Sequence, residues 1–92
     1  MYRRYYTANF QKSFKKIIHS GKFKREKIEK IVDVLASGEK LPLNYRDHLL
    51  HGEYDGYREC HIHRDLLLIY KIQEAKLILI LVDIGSHSDL FE

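Results

Sequence analysis

Apolar and polar positions divide the chain into two kinds of segment. Phe10, Phe14, Ile17 and Ile18 recur at i, i+4, i+7 and i+8, one stripe of a helix, with Lys12, Lys15 and Lys16 off it. Asn9 stands where an N-cap is wanted and Gly21 where the helix should stop. From about Phe23 to Ser37-Gly38, a second stripe carries Ile28, Ile31, Val32 and Leu35, with Lys24, Arg25, Lys27 and Lys30 largely away from it. The tight break between the two makes a helical hairpin. Strand-like runs lie on either side: an aromatic one at Tyr2–Thr7, then Tyr57–His63, Leu66–Ile72 and Lys76–Ile84. The last three are joined by Arg64-Asp65 and Gln73-Glu74-Ala75, linkers so short that only antiparallel neighbours fit. Two of these runs are nearly all apolar and must be central or covered on both faces. LPLNYRDHLLHGEYDG (41–56) has a proline, two glycines and no clean period, and reads as a loop carrying polar residues. The expected architecture is α+β: an N-terminal strand, a two-helix hairpin, then an antiparallel three-strand meander packed on the helices, all in one domain over residues 1–92.

Composition narrows the setting. At 45% hydrophobic with a single proline, the chain has enough apolar surface to fold. The lone Cys60 cannot form an intrachain disulfide, and MYRRYYTANF lacks the apolar core of a secretory signal, so the reducing cytoplasm is the expected compartment. The longest apolar run, LILILV, is far short of the ~20 residues of a membrane-spanning helix, and no membrane association is expected. Charge is unevenly distributed. Residues 1–40 hold eleven Lys/Arg against four Asp/Glu, a balance of +7, while residues 41–92 hold five against nine, a balance of −4. Five of the six histidines, His48, His51, His61, His63 and His87, fall in the acidic half. A solvated Lys-rich face is the plain reading of the first half, and a polyanion-binding face beside a proton-transfer site is the functional one.

The candidate chemistry concentrates in YRECHIHRDLLLIY (57–70). Strand alternation puts Tyr57, Glu59, His61 and His63 on one face and Arg58, Cys60 and Ile62 on the other. Cys60 and His61 are therefore badly placed as nucleophile and base, and Cys60 reads as a small buried hydrophobe. Glu59 and His61 can face one pocket, with Asp65 at its edge. His61 and His63, about 6–7 Å apart along a strand, have a spacing that a metal can bridge, but no Cys pair or HExxH helix accompanies them, and no metal or other cofactor is expected.

The run DHLLHGEYDGYRECHIHRDLLLIYKI, followed by LILILVDIGSHSDLF, resembles the YafQ branch of the RelE/ParE toxin superfamily over roughly the whole chain. The resemblance implies a RelE-like fold and the toxin half of a type II toxin–antitoxin pair: a ribosome-dependent endoribonuclease that cuts mRNA in the A site. It also implies its partners, a cognate antitoxin and the 70S ribosome with its mRNA, with operator DNA reached only through the antitoxin. The family's functional positions fall on His48, Glu59, His61, Asp65, His87 and Phe91. Glu59 stands where many relatives carry Asp, and Leu66 where a Trp is often seen.

Metal-free RNA cleavage needs a base for the 2′-OH proton, a donor for the departing 5′ oxygen, and hydrogen bonds or positive charge for the phosphorane-like transition state. Imidazole, with an ordinary pKa of about 6.5, suits the first two tasks. On this reading His48 and His87 form the acid/base pair, His61 donates to non-bridging phosphate oxygens, and Asp65 orients or protonates one of these groups. Phe91 stacks on a base or pins the tail. Arg58 is a substrate-binding candidate that alternation turns instead toward a structural ion pair. Lys12, Lys15, Lys16, Lys24, Arg25 and Lys27 would meet ribosomal RNA, in binding that weakens steeply with salt. Two alternatives use the same fold: a non-catalytic module acting only with an antitoxin, and a ParE-like gyrase poison that would not need this histidine set.

Overall fold

A computed structural model describes residues 1–91. Strand β1 (Arg3–Tyr6) leads into helices α1 (Ala8–Ser20) and α2 (Arg25–Ser37), followed by a two-residue strand β2 (His48–Leu49). The meander β3 (Arg58–His63), β4 (Leu66–Gln73) and β5 (Ile78–Gly85) comes next, and a short helix α3 (His87–Phe91) ends the described chain. The five strands form one sheet in the order β1-β5-β4-β3-β2, with β1 parallel to β5 and every other pair antiparallel. This is the expected α+β arrangement with one short strand and one short C-terminal helix added.

The helices cover one face of the sheet. Phe10, Ile28, Ile31, Val32 and Leu35 pack on Cys60, Ile62, Leu66, Leu68, Tyr70, Leu79, Leu81 and Ile84. At roughly 1.5–3 kcal/mol for each fully buried large side chain, this layer carries most of the folding energy. The opposite face is covered only in part: Leu67 and Ile69 pack there with Leu90 of α3 and with Leu50, Tyr54, Tyr57 and Val82. β4 is apolar along both faces because it lies between these two clusters, the center of the meander as expected.

Several boundaries differ from the sequence reading, each for a local reason. Thr7, and not Asn9, caps α1: its Oγ1 accepts from the Phe10 N–H at 3.0 Å and donates to the Val82 carbonyl at 2.6 Å, tying the helix start to β5. α2 begins at Arg25, with Phe23 packed against the core ahead of it. β5 begins after Leu77, whose φ of 54° ends the preceding 3-10 turn. The 41–56 loop contains β2, and GSHSDLF is helical from His87. Ser86 and Asp89 form a capping box there, the Asp89 N–H donating to Ser86 Oγ and the Ser86 N–H to Asp89 Oδ2, each at 3.1 Å.

One correction bears on the candidate chemistry. His63 does not share a face with Glu59 and His61. The β3–β4 register slips between His61 and His63, so that His63 pairs with Leu66 and its ring meets Phe23 on the helix side at 5.4 Å. A bulge of this kind breaks simple alternation after the extra residue.

Candidate active site

The open face of β3 gathers three of the sequence-derived residues. β2 pairs His48 opposite Glu59, and His61 follows two residues along the same face of β3. Glu59 is the one charged side chain buried among the described residues, at 5% exposure. His48 Nε2 lies 3.4 Å and His61 Nε2 3.5 Å from the same oxygen, Glu59 Oε1. The imidazoles tilt toward each other with ring centers 6.2 Å apart. The second carboxylate oxygen, Oε2, is buried without a hydrogen-bond partner among the described residues.

The neighbours of His48 determine its protonation pattern. Its Nδ1 lies 2.6 Å from the Arg46 carbonyl oxygen, which can only accept, so Nδ1 carries the proton. Nε2 then faces the Glu59 carboxylate oxygen.

Asp47 anchors this arrangement from the other side of the sheet. Alternation turns its side chain away from that of His48, and its Oδ1 accepts from the Tyr70 hydroxyl at 2.6 Å and from Arg58 Nε at 3.2 Å. Burial, with help from the Asp47 carboxylate, pushes the Tyr70 hydroxyl well above its ordinary range, so it stays a donor. Burial works against the Arg58 charge, but Tyr70 and Asp47 outweigh it and hold the guanidinium above its usual pKa. Arg58 is thus engaged in an ion pair with Asp47 and is not brought to the histidine cluster. Cys60 is fully buried, and burial raises its thiol far above the reactive range, in keeping with a packing role.

His87 and Phe91 form a second group at the end of β5. Their rings are 5.1 Å apart, Phe91 meets Tyr54 edge-on at 5.7 Å, and Tyr54 leans on Tyr57. Leu67 pairs with both His61 and Gly85, so His61 and Gly85 lie two strands apart, roughly 10 Å, with His87 two residues further on. Asp65 is exposed in the β3–β4 turn, and its side chain makes no hydrogen bond or ion pair among the described residues. Lys12, Lys15, Lys16, Lys24, Arg25 and Lys27 are all exposed on the helical hairpin, Arg25 lying over the Phe14 ring and near Glu29. Sequence reasoning missed Asp47 as the anchor of β2, and Arg46, whose carbonyl orients His48. The Asp-His dipeptide, with one residue for each face of a strand, was the available signal.

A family model described as the bacterial toxin of type II toxin–antitoxin systems, YafQ, matches residues 2–92. The chain belongs to the YafQ family. The mRNA interferase toxin YafQ of Escherichia coli K12 is 41% identical over 51 residues, 55% of this chain and 53% of that protein; the chain thus spans about half the length of this curated relative. A copper-bound mutant toxin from Helicobacter pylori superposes with a TM-score of 0.92 at 35% identity, over 99% of this chain and all of the other. YafQ in the E. coli DinJ–YafQ complex superposes with a TM-score of 0.87 at 28% identity, over the full length of both chains. The RelE-like fold of YafQ structures is therefore the fold of this chain. In this member of the YafQ family, no three or more His, Cys, Asp or Glu side chains among the described residues are arranged to hold a metal ion. No helix among the described residues is long and apolar enough to cross a membrane.

Proposed function

We propose that this protein is a type II toxin that acts as a ribosome-dependent endoribonuclease, cleaving mRNA in the A site and so stopping translation. The observation that carries the proposal is the convergence of His48 Nε2 and His61 Nε2 on one oxygen of the buried Glu59. One imidazole takes the proton from the ribose 2′-OH as O2′ bonds to phosphorus. The other, protonated, supplies a proton to O5′ as the P–O5′ bond breaks, leaving a 2′,3′-cyclic phosphate and a 5′-OH. Afterwards the two imidazoles hold each other's starting protonation, and Glu59, facing both, passes the proton back. General acid–base groups of this kind contribute about 10²–10⁴-fold each. Pairing His48 with His61, in place of His48 with His87, follows from the shared oxygen. His87 is left to donate to a non-bridging oxygen, and Phe91 beside it to stack on a base, worth about 1–3 kcal/mol. Asp65, exposed in the turn, orients the substrate or His61 once RNA is bound.

Its partners on this reading are the ribosome, met through the lysines of α1 and α2, and an antitoxin like the DinJ seen with the E. coli relative. The antitoxin would carry any contact with operator DNA, and the ribosomal target sets the work in the cytoplasm. Primer extension on mRNA incubated with programmed ribosomes tests the proposal. Cuts within the A-site codon, absent without ribosomes and absent with His87→Ala, are expected. No cuts from the folded protein would leave the non-catalytic module, and DNA breaks in place of mRNA cuts would identify a gyrase poison.

A further inference from the structure

Beside His61 lies an open cavity of about 440 Å³ lined by Lys27, Asn44, Tyr45, Arg46, Ile62, His63 and Arg64 as well as His61 itself. No carboxylate lines it. Three of its lining residues, Lys27, Arg46 and Arg64, are full cations whose side chains make no hydrogen bond or ion pair among the described residues; Arg3 is likewise unpaired, whereas Arg4, Arg25 and Arg58 each have a carboxylate partner elsewhere. Unpaired cations crowded around one concavity repel each other and are tolerated where an anion is to be bound. Arg46 adds a second observation. Its backbone is left-handed at φ 52°, a conformation uncommon outside glycine. That same turn aims the Arg46 carbonyl at His48 Nδ1, and Arg46 is among the residues that line the cavity with His61.

From this we infer that Arg46 and Arg64, with Lys27, form a phosphate-binding cleft that holds the mRNA backbone next to the scissile phosphate and aligns it with His61. The inference rests on the nuclease reading and adds a substrate-positioning site to it. A guanidinium offers a planar fork of donors that matches two phosphate oxygens, so arginine suits this position better than lysine. The backbone link from Arg46 to His48 makes the cleft and the acid/base pair parts of one turn of chain, and phosphate bound there is in register with the chemistry.

The test uses the double variant Arg46→Gln/Arg64→Gln, which removes both charges at exposed positions, and first reads binding without ribosomes. A fluorescent single-stranded RNA decamer is titrated against intact and variant protein at several salt concentrations. The variant is expected to bind about ten-fold more weakly at 0.1 M salt, with the slope of log affinity against log salt reduced by about 1.4, for two lost phosphate contacts. Unchanged affinity and slope would overturn the cleft whether or not the protein cleaves RNA, and weakened binding without any cleavage by the intact protein would retain the cleft and sink the nuclease reading. A second arm locates the phosphate: in mRNA on ribosomes, a methylphosphonate next to the cut should raise the concentration for half-maximal cleavage with the intact protein and have no further effect with the variant. A variant that loses affinity for vacant ribosomes while remaining as sensitive to the methylphosphonate as the intact protein would mean that the cleft grips ribosomal RNA, and would overturn the mRNA assignment. Should Arg46→Gln disturb the turn and lower the melting temperature, Arg64→Gln alone carries the same comparison.

Discussion

A carboxylate buried to 5% exposure and flanked by two imidazoles is an expensive arrangement, because a charge removed from water must be compensated by its neighbours. Here the compensation is incomplete: Glu59 Oε2 has no partner among the described residues. A group held in this way for packing alone would be better replaced by its neutral isostere. Glu59→Gln is therefore expected to leave the melting temperature unchanged or slightly raised, while slowing single-turnover cleavage on ribosomes by about 10²-fold. A large loss of stability with the rate per folded molecule intact would make Glu59 structural. The same reasoning separates Cys60 from the site although it adjoins Glu59 and His61 in sequence. Its side chain is in the helix-facing core, where burial keeps the thiol protonated.

The strands and helices bring these residues together, and they differ in how far the sequence foretold them. α1 and α2 were legible because a 3.6-residue period over 13 residues each has few other interpretations. The meander was legible because its linkers are too short for anything else. β2 was not, since two residues have no period and His48–Leu49 becomes a strand only through its pairing with β3. The place of His63 was lost to a bulge, which leaves no mark in an alternating pattern. α3 had a signal that went unused, Ser86 followed three residues on by Asp89. That capping box predicts a pH dependence for α3. Backbone and side-chain hydrogen bonds from Ser86, with some attraction from Lys16, hold the Asp89 carboxyl below its ordinary value. A depressed folded-state pKa gives stability that is present above the unfolded-state value and is lost as pH falls through the folded one. Amide exchange at Leu90 should accordingly quicken relative to Leu68 as pH drops below the usual carboxylate range, and Asp89→Asn should abolish that extra pH dependence. Parallel behavior of the two amides in the intact protein would show that the box does not govern α3.

At the scale of the whole molecule, the sheet separates two tasks. Its helix-covered face holds the larger core, and its open face gathers His48, Glu59 and His61 and the aromatic group of α3. The two halves of the chain also differ in charge, +7 over residues 1–40 and −4 over residues 41–92. The resemblance visible in DH, YRECH and GSHS gave the family and the residues proposed for the site, but neither the shared carboxylate oxygen nor the cleft, because both join side chains from separate elements. The most direct test of the account is cleavage of an mRNA with a single 2′-deoxyribose at the nucleotide on the 5′ side of the scissile phosphate. If the imidazoles drive attack by the 2′-OH, this mRNA bound in programmed ribosomes is not cut at that position, while the all-ribose message is cut and ends in a 2′,3′-cyclic phosphate. Undiminished cutting of the deoxy-substituted message would mean that water is the nucleophile, and would contradict the roles assigned to His48, Glu59 and His61.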